Sequence, residues 1–511
     1  MLGTKDICDE DLFGSAEKAL MSGDHMAKTA EELERSSQRR IKTVDDMEYY
    51  WKIVSEKSLP TNRIHITGTK GKGTTAWYCD YLLRTKYKCT TGLFTSPHLV
   101  TIRERIRING QPISEQMFGY VYWTLRHKLE LAAKDNITCG IPVLPGYFKM
   151  LTLMSMYTFA EYHSPSIDVV IFEVGMGGRY DATNLSFVPS NNTVCGVTLI
   201  DYDHTHILGN TLEKIAWEKG GLFFPNSSCH IMPTNQPSVQ AVLQQCAEEK
   251  SASSYQLVQN YDNKGDANDK IPQHLQLNWN MAQTLCRSVL QQNNDTIATI
   301  PFPNHNELIW PGRCQTVPYN NNNNVKLFLD GAHTPASMVA CQHWLQSVLS
   351  ETKLFIFYCG SDRNPIPLLK PFINVPWDEI YFISKLPHTR PSRIPIYSVN
   401  HYLQDAKMKT IFNIGDEVQS WSATLRCLWE VLTSTIEDRT NSIFTGLDVP
   451  ETLHRISSKC NDNSRVSVAI TGSLYLIGTV LETIDWSEPC ASGFIHQYNF
   501  STTARKGKKK S

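Results

Sequence analysis

The chain has 511 residues, enough for two or three domains with hydrophobic cores of their own. Its 49 basic and 50 acidic residues nearly cancel, which excludes an overall attraction to nucleic acid or to an anionic membrane. No run approaches the ~18 apolar residues that a membrane span needs, and the 14 cysteines include no Cys-x-x-Cys pair. We therefore expect a globular protein with reduced cysteines, without a nucleic-acid partner and without a membrane span.

Residues 1–28 show little hydrophobic periodicity, and we expect a loosely ordered N-terminus there. This stretch is acidic at Asp6, Asp9 and Glu10, whereas mitochondrial leaders are rich in arginine and poor in acids. We therefore expect a cytoplasmic protein, and a mitochondrial isoform with a different start stays open. An amphipathic helix is predicted over 29–56.

Apolar, strand-like runs alternate with helical patterns from residue 63 onward. Residues 63–67 lead into a glycine-rich loop, 168–174 lead to Gly175, and 193–200 lead to Asp201. Continuous apolar strands alternating with helices favour a largely parallel sheet that is covered on both faces. The pattern predicts a central α/β domain of the P-loop type over 29–317.

The loop at 68–75 reads Gly-Thr-Lys-Gly-Lys-Gly-Thr-Thr and is the most informative stretch of the chain. Glycines let backbone N–H groups face a phosphate, lysine supplies a positive charge, and a hydroxyl suits Mg²⁺. The strict P-loop pattern is not met, because Ile66 replaces its first glycine and Gly73 separates Lys72 from the hydroxyls. An ordinary glycine-rich turn is the alternative, but the order of lysines and hydroxyls favours binding of a nucleoside triphosphate.

A polar run interrupts the pattern at 318–324, where Pro318 and Tyr319 precede five asparagines. This composition predicts a linker, because such a run cannot form a core. Strand-like runs resume at 325–329, 353–358, 379–383 and 467–471. We therefore predict a smaller, Rossmann-like α/β domain over 325–500 and a basic tail over 501–511.

Polar residues follow several of the predicted strands, and ligands bind at the carboxyl ends of parallel strands. Glu173 ends the apolar run at 168–174, where its oxygens suit Mg²⁺. A structural ion pair with Arg179 or Arg107 is the alternative for Glu173. Ser96 and His204 stand in similar places. Ser96 could instead belong to an ordinary turn between a strand and a helix, and His204 could be a buried histidine that is hydrogen-bonded to a neighbour.

Taken in order, these motifs resemble those of the folylpolyglutamate synthase family, a branch of the Mur ligase superfamily. One position departs from the family pattern, because Asn364 stands where a second acidic residue usually follows Asp362-Arg363. The matching stretches are Gly-Thr-Lys-Gly-Lys-Gly-Thr at 68–74, Ser-Pro-His-Leu at 96–99, Glu-Arg-Ile-Arg-Ile-Asn-Gly at 104–110, Glu-Val-Gly-Met-Gly-Gly at 173–178, Asp-His-Thr at 203–205, Glu-Lys-Gly-Gly at 218–221, Trp-Pro-Gly-Arg at 310–313, Leu-Asp-Gly-Ala-His-Thr at 329–334 and Thr-Gly-Ser-Leu-Tyr-Leu-Ile-Gly at 471–478.

The resemblance implies a role for each matching residue. Lys219 corresponds to a lysine that relatives can carry as a carbamate, which would turn a cation into a metal-binding carboxylate. The implied ATP-binding residues are Gly71, Lys72, Gly73, Thr74, Thr75, Arg313 and Asp330. The implied Mg²⁺ ligands are Thr74, Ser96, Glu173 and His204, and the implied catalytic residues are Lys72, Lys219 and His333.

The implied activity is the ATP-dependent addition of L-glutamate to reduced folates through γ-linked amide bonds, by way of an acyl phosphate. Mg²⁺ and ATP would be required, a monovalent cation such as K⁺ stays open, and relatives suggest a monomer. The alternatives are a dihydrofolate synthase or another Mur-type amide ligase. A non-catalytic nucleotide-binding protein is the alternative from a different class.

Overall fold

The fold is taken from a computed structural model of the chain. It describes residues 12–22, 25, 39–135, 141–161, 166–188, 190, 192–259, 271–291, 300–303, 308, 310–319, 322–350, 352–361, 363–386, 420–434, 436, 441–459 and 465–486. Within these residues the strands form two separate sheets, and helices pack on both faces of each sheet.

The first sheet has eight strands in the order β4-β3-β2-β5-β1-β6-β7-β8. Strands β3 and β4 run antiparallel at one edge, and the other six strands are parallel. The central strand β1 is buried from its second residue onward, as its apolar sequence predicts. The strands are β1 (Asn62–Thr67), β2 (Thr91–Phe94), β3 (Ile106–Ile108), β4 (Gln111–Pro112), β5 (Val169–Glu173), β6 (Asn192–Val197), β7 (Ser228–Ile231) and β8 (Ser254–Leu257).

Nine helices accompany this sheet among the described residues. They are α1 (Leu12–Leu20), α2 (Thr43–Val54), α3 (Lys72–Thr85), α4 (Glu115–Asp135), α5 (Tyr147–Glu161), α6 (Thr205–Leu208), α7 (Leu212–Gly220), α8 (Pro237–Glu249) and α9 (Gln273–Val289). Helices α3 and α9 cover one face, where Leu82 and Trp279 are fully buried. The other face is covered by α1, α2, α4, α5, α7 and α8. Short 3₁₀ helices occupy Arg39–Lys42 and Ile102–Arg105.

The second sheet has six strands in the order β13-β12-β11-β14-β10-β9, and only β9 is antiparallel. Phe355 and Phe357 face α10, α11 and α12, whereas Leu354 and Ile356 face α13 and α14. The strands are β9 (Gln315–Tyr319), β10 (Asn322–Asp330), β11 (Thr352–Phe357), β12 (Glu379–Phe382), β13 (Ser442–Thr445) and β14 (Val466–Thr471). The helices are α10 (Pro335–Val348), α11 (Ile366–Leu369), α12 (Trp421–Thr433), α13 (Val449–Lys459) and α14 (Leu474–Thr483).

The predicted fold class, two α/β domains with largely parallel sheets, is confirmed. The predicted linker at 318–324 is wrong, since its described residues belong to β9 and β10, which pair as an antiparallel hairpin. The second sheet therefore begins at Gln315 rather than at 325. The asparagine run hid this hairpin, because asparagine is depleted in strands.

The predicted loose N-terminus is wrong for residues 12–20, which form α1. Ala16 and Leu20 are fully buried in the core shared with α4, and Phe13 packs edge-on against Phe118. The apolar residues of this short helix recur on one face, but nine residues give a weak periodic signal. The predicted basic tail at 501–511 lies outside the described residues.

Strand register places the carboxyl ends of the central strands side by side. Ile66 pairs with Glu173, and Thr67 pairs with Val197. The loops that follow β1, β5 and β6 therefore leave the sheet on the same side, at the carboxyl ends of the strands, where parallel sheets bind ligands.

Candidate functional site

The glycine-rich loop connects β1 to the N-terminus of α3. Gly71 caps α3 with φ +87°, and a Cβ at this position would lie 2.4 Å from Oδ1 of Asn278 on α9. Gly68 has φ +141°, and its Cβ would overlap the Thr198 side chain. Both positions therefore require glycine. The first N–H groups of a helix have no carbonyl partner within it, so the N-terminus of α3 is a place of the kind that binds anions.

Residues 72–75 form the first turn of α3 and face the end of β5. A Cβ at Gly73 would lie 3.2 Å from Oε2 of Glu173, so the loop and this carboxylate nearly touch. Thr74 and Thr75 are both buried, and the Thr75 hydroxyl has no hydrogen-bond partner among the described residues. A buried hydroxyl without a partner is unfavourable, which points to a ligand at this turn.

Glu173 is the buried carboxylate at the carboxyl end of β5, and only 5% of it is exposed. Its Oε2 accepts a hydrogen bond from the backbone N–H of Ser96 at 2.9 Å. Burial raises the pKa of Glu173, while the nearby charges of Lys72 and Arg313 act in the opposite direction. An ionised carboxylate in this position is stabilised by a cation.

The loop that carries Ser96 is held by the Glu104 carboxylate and by the second domain. The carboxylate of Glu104 accepts the backbone N–H groups of Leu99 at 2.9 Å, Val100 at 3.0 Å and Thr101 at 2.8 Å. The Leu99 side chain packs into the core of the second domain. The second domain therefore contacts the loop that positions Ser96 against Glu173.

Helix α14 of the second domain approaches the same loop very closely. A Cβ at Gly478 would lie only 2.1 Å from the carbonyl oxygen of Leu99. Glycine is required for this approach, since no real Cβ atom reaches such a distance. Gly478 thus lets the two domains meet directly beside the Ser96 loop.

A cleft lies between the two domains at this point. Trp310, on its wall, stacks on Trp77 of α3 with ring centroids 4.8 Å apart. The guanidinium of Arg107 lies 5.3 Å from the Trp77 ring and donates to the carbonyl of Gly110, so Arg107 does not pair with Glu173. The cleft is lined by Gly73, Thr95, Ser96, Pro97, Leu99, Glu104, Arg107, Glu173, Trp310, Pro311, Arg313 and Leu474.

Lys219 lies at the end of α7 and is 3% exposed. Its Nζ donates a hydrogen bond to the carbonyl oxygen of Gly68 at 2.7 Å, which ties α7 to the start of the glycine-rich loop. Burial and the nearby Lys72 charge lower the pKa of Lys219 well below its ordinary value. A lowered pKa favours the neutral amine, the form that can react with CO₂ to give a carbamate.

A second group of charges crosses from the first domain to the second. Lys70 lies 3.9 Å from Asp203, and burial lowers the pKa of Lys70 to about 8. Arg363 of the second domain donates to the carbonyl of His333 at 3.0 Å. Burial, Lys70 and Arg363 together lower the pKa of His333 to about 3, which keeps its imidazole neutral.

His204 lies in the loop that follows β6, next to Asp203. It caps α6 in the left-handed region at φ +49°, and its surface is exposed. Partial desolvation of the imidazole and the charges of Lys72 and Lys219 lower the pKa of His204, and the Asp203 carboxylate acts in the opposite direction. No hydrogen bond joins His204 to Glu173. Among the described residues, no group of three or more His, Cys, Asp or Glu side chains is arranged to hold a metal ion, so hydroxyl oxygens would have to contribute.

Asp330 ends β10 and organises the loops around Arg313. Its Oδ2 accepts the backbone N–H of Cys314 at 2.9 Å, and its Oδ1 accepts that of Ala332 at 2.9 Å. Arg313 lines the cleft, and its guanidinium donates to the carbonyl of Gly312 at 3.0 Å. Asp330 thus fixes the direction in which the Arg313 loop faces the cleft.

Sequence reasoning missed three residues that the structure brings to the loop or the cleft. Asn278 lies far along the chain from Gly71, and no local pattern indicates their contact. Glu104 was part of a recognised motif, but only the fold shows that its carboxylate holds the Ser96 loop. Lys70 belongs to the glycine-rich loop, and this position is a signal from which the sequence could have identified it.

The fold and the site define a two-domain α/β protein with a Mur-ligase-like fold and a glycine-rich loop that faces the cleft between its domains. No family model matches the chain. A putative folylpolyglutamate synthase of Caenorhabditis elegans is 31% identical over 82% of this chain and 81% of its own length. The mitochondrial folylpolyglutamate synthase of Bos taurus is 38% identical over 60% of this chain, and this match covers 57% of that relative's own length. The chain therefore belongs to the folylpolyglutamate synthase family.

Solved structures show the same fold. Mycobacterium tuberculosis folylpolyglutamate synthase complexed with ADP superposes with a TM-score of 0.67 at 22% identity, covering 94% of this chain and 100% of that chain. A bifunctional folylpolyglutamate synthase/dihydrofolate synthase with Mn, AMPPNP and L-glutamate bound superposes with a TM-score of 0.60 at 22% identity. The match covers 86% of this chain and 94% of that chain. No described helix is long and apolar enough to cross a membrane.

Proposed function

We propose that the protein is an ATP-dependent ligase that adds L-glutamate to a reduced folate through γ-linked amide bonds. One observation supports this most strongly. The buried carboxylate of Glu173 lies against the glycine-rich loop at Gly73 and against the Ser96 loop, in a cleft lined by both domains. We call residues 68–75 the phosphate loop in this proposal. This arrangement brings an anion site and a cation site together where two anionic substrates must react.

ATP would bind with its phosphates at the N-terminus of α3. Lys72 would supply the positive charge for the terminal phosphates. Arg313 would reach the nucleotide from the cleft wall, in the direction that Asp330 fixes. The remaining phosphate contacts would come from Gly71, Gly73, Thr74 and Thr75.

The residues beside the loop fit Mg²⁺. With no side chain at Gly73, the loop approaches the Glu173 carboxylate closely, and the buried Thr75 hydroxyl has no partner among the residues that the structure describes. Carboxylate and hydroxyl oxygens are ligands that Mg²⁺ prefers. Glu173, Ser96 and Thr74 would hold the ion, and we keep His204 as a further ligand. A bound Mg²⁺ supplies charge that offsets the phosphates. A monovalent cation such as K⁺ is part of this proposal.

The reaction would proceed in two steps on the substrates. The terminal carboxylate of the folate attacks the γ-phosphorus of ATP, ADP leaves, and an acyl phosphate forms. The neutral amine of glutamate then attacks the acyl carbon, phosphate leaves, and the nitrogen releases one proton to solvent and keeps the other as the N–H of the amide. Lys72 would hold the transferred phosphate, and the closed cleft would keep water from the acyl phosphate.

His333 would accept a hydrogen bond from the incoming amine. Its Nδ1 lies 2.8 Å from the carbonyl oxygen of Gly331, so Nδ1 must carry the proton and Nε2 is left to accept. A pKa of about 3 makes this imidazole a weak base. His333 would therefore orient the amine rather than remove its proton. The predicted carbamate on Lys219 stays a prediction.

The test is glutamate-dependent phosphate release by the purified protein with Mg²⁺-ATP and tetrahydrofolate. We expect release only when folate and glutamate are both present. Release with dihydropteroate in place of tetrahydrofolate would instead indicate a dihydrofolate synthase. Nucleotide binding without release on any of these substrates would indicate a non-catalytic protein. A monomeric state, a cytoplasmic location and a mitochondrial isoform are also proposals.

A further inference from the structure

A salt bridge joins the segment before α2 to the end of α7. Arg40, in the 3₁₀ helix Arg39–Lys42, donates Nη1 to Oε1 of Glu218 at 3.2 Å and Nη2 to Oε2 at 2.6 Å. The Arg40 guanidinium also lies over the ring of Tyr180, 5.3 Å from its centroid. Both terminal nitrogens of Arg40 are thus bound to one carboxylate in the paired geometry that arginine favours.

Glu218 is held at its backbone as well as at its carboxylate. Its carbonyl oxygen accepts the backbone N–H of Arg179 at 2.8 Å, and the residue is 8% exposed. Removing the cation from a buried carboxylate is strongly unfavourable, so the pair with Arg40 fixes the position of this turn. Arg40 thereby anchors the last turn of α7 to the 3₁₀ helix Arg39–Lys42.

Lys219 follows Glu218 directly and reaches the phosphate loop, where its Nζ donates to Gly68 at 2.7 Å. The surroundings leave α7 little freedom to move inward. A Cβ at Gly178 would lie 2.7 Å from the Lys219 carbonyl oxygen, and one at Gly177 would lie 3.6 Å from Arg40 Nη2. Close packing thus limits movement of α7 toward Gly177 and Gly178, and the Arg40–Glu218 pair limits its movement away from them.

We propose that Arg40 is a positioning residue, which holds Lys219 against the phosphate loop through its salt bridge with Glu218. The consequence for turnover rests on the proposed ligase function. Arg40 does not contact substrate in this proposal, because Glu218 occupies its guanidinium. It lies outside every motif that the sequence singled out, and it ties the N-terminal segment to the chemistry.

A double-mutant cycle on the full chain tests the proposal. We expect Arg40→Ala and Glu218→Ala each to lower kcat on the order of tenfold or more, because small displacements of reacting groups have large effects. The double variant should be no slower than the worse single variant. Arg40→Lys should recover part of the loss, since it keeps the charge. Arg39→Ala is the matched control, because Arg39 pairs with Asp46 on α2 instead.

Labelling of Lys219 by an amine-reactive reagent, followed by mass spectrometry, gives a readout that does not depend on ligase activity. We expect Lys219 to be protected in the wild type and in Arg39→Ala, and labelled in Arg40→Ala and to a lesser degree in Arg40→Lys. Circular dichroism of Arg40→Lys confirms that the chain is folded. Increased Lys219 labelling in Arg40→Ala, together with a wild type that shows no ligase activity, would refute the proposed function and keep the positioning role.

Two results would overturn the proposal. One is unchanged Lys219 labelling in Arg40→Ala. The other is multiplication of the two single effects in the double variant, which would mean that Arg40 acts without Glu218.

Discussion

At the scale of single residues, the account depends on the charge of Glu173. Glu173→Gln keeps the shape of the side chain and an oxygen that can accept the Ser96 N–H, but it removes the charge. We expect the Mg²⁺ concentration for half-maximal turnover to rise by about tenfold or more. The melting temperature should change little, because a buried carboxylate is replaced by a neutral group. A Mg²⁺ titration identical to wild type would make Glu173 a structural residue.

Lys70 gives a pH dependence at the same scale. With a pKa of about 8, Lys70 carries its charge below that pH and loses it as the pH rises further. We expect ATP affinity to fall between about pH 7 and 9.5 in the wild type, and to fall less in Lys70→Arg, which stays protonated. Equilibrium titration with a fluorescent ATP analogue at each pH measures this. Equal declines in both proteins would remove Lys70 from the phosphate site.

A loss of folding stability from the titration of Lys70 does not explain such a decline in ATP affinity. The unfolded lysine keeps its proton up to a pKa of 10.5, whereas the folded one releases it at about 8. Between these values the unfolded chain binds more protons, so the contribution of Lys70 to the free energy of unfolding grows as pH rises. Any loss of ATP affinity in this window is therefore an effect on binding.

The glycine-rich loop between β1 and α3 could be predicted from sequence, because its glycines, lysines and hydroxyl residues form one continuous stretch. Glu173 could be placed at a strand end for the same reason. Asn278, Glu104 and Arg40 could not, since each acts on a segment distant in the chain or through another side chain. Such contacts depend on tertiary packing, which leaves no periodic pattern in the sequence.

At the scale of elements, the contact between α14 and the Ser96 loop decides how the domains meet. Alanine normally stabilises a helix relative to glycine by about 1 kcal/mol. In Gly478→Ala, however, the new Cβ would meet the Leu99 carbonyl at 2.1 Å, so α14 must move away. We expect turnover to fall by about tenfold or more while the second domain stays folded.

The matched control for Gly478→Ala is Gly446→Ala, the same substitution in the second domain. No atom of the described residues lies within 4 Å of a Cβ at Gly446, although its φ of +83° carries some strain. We expect this control to retain turnover even where it lowers the melting temperature. Steady-state kinetics and thermal unfolding separate the two effects. Equal turnover of Gly478→Ala and wild type would show that α14 does not control the loop.

The elements themselves were partly readable from sequence. Apolar strands such as β5 and β14 were predicted, because buried parallel strands are continuous apolar runs. The hairpin of β9 and β10 was missed because asparagines occupy its turn side, and α1 was missed because it is short. Both mistakes come from composition and length, which outweighed a real but weak pattern.

At the scale of the whole molecule, function depends on two domains enclosing one cleft. The phosphate loop, Glu173 and Lys219 belong to the first domain, whereas His333 and α14 belong to the second. Neither domain holds all of the proposed site. The domain order could be predicted from sequence, but the contact at Leu99 and Gly478 could not, because it joins two backbones rather than two side-chain patterns.

The central claim, glutamate addition to a folate, is tested most directly by mass spectrometry of the folate pool. Purified protein is incubated with Mg²⁺-ATP, tetrahydrofolate and glutamate, with Lys72→Ala as the inactive control. We predict a ladder of products, each longer by one glutamyl residue, in the wild type and a strongly reduced ladder in Lys72→Ala. A folate pool that stays unchanged in the wild type, with no phosphate released, would contradict the account.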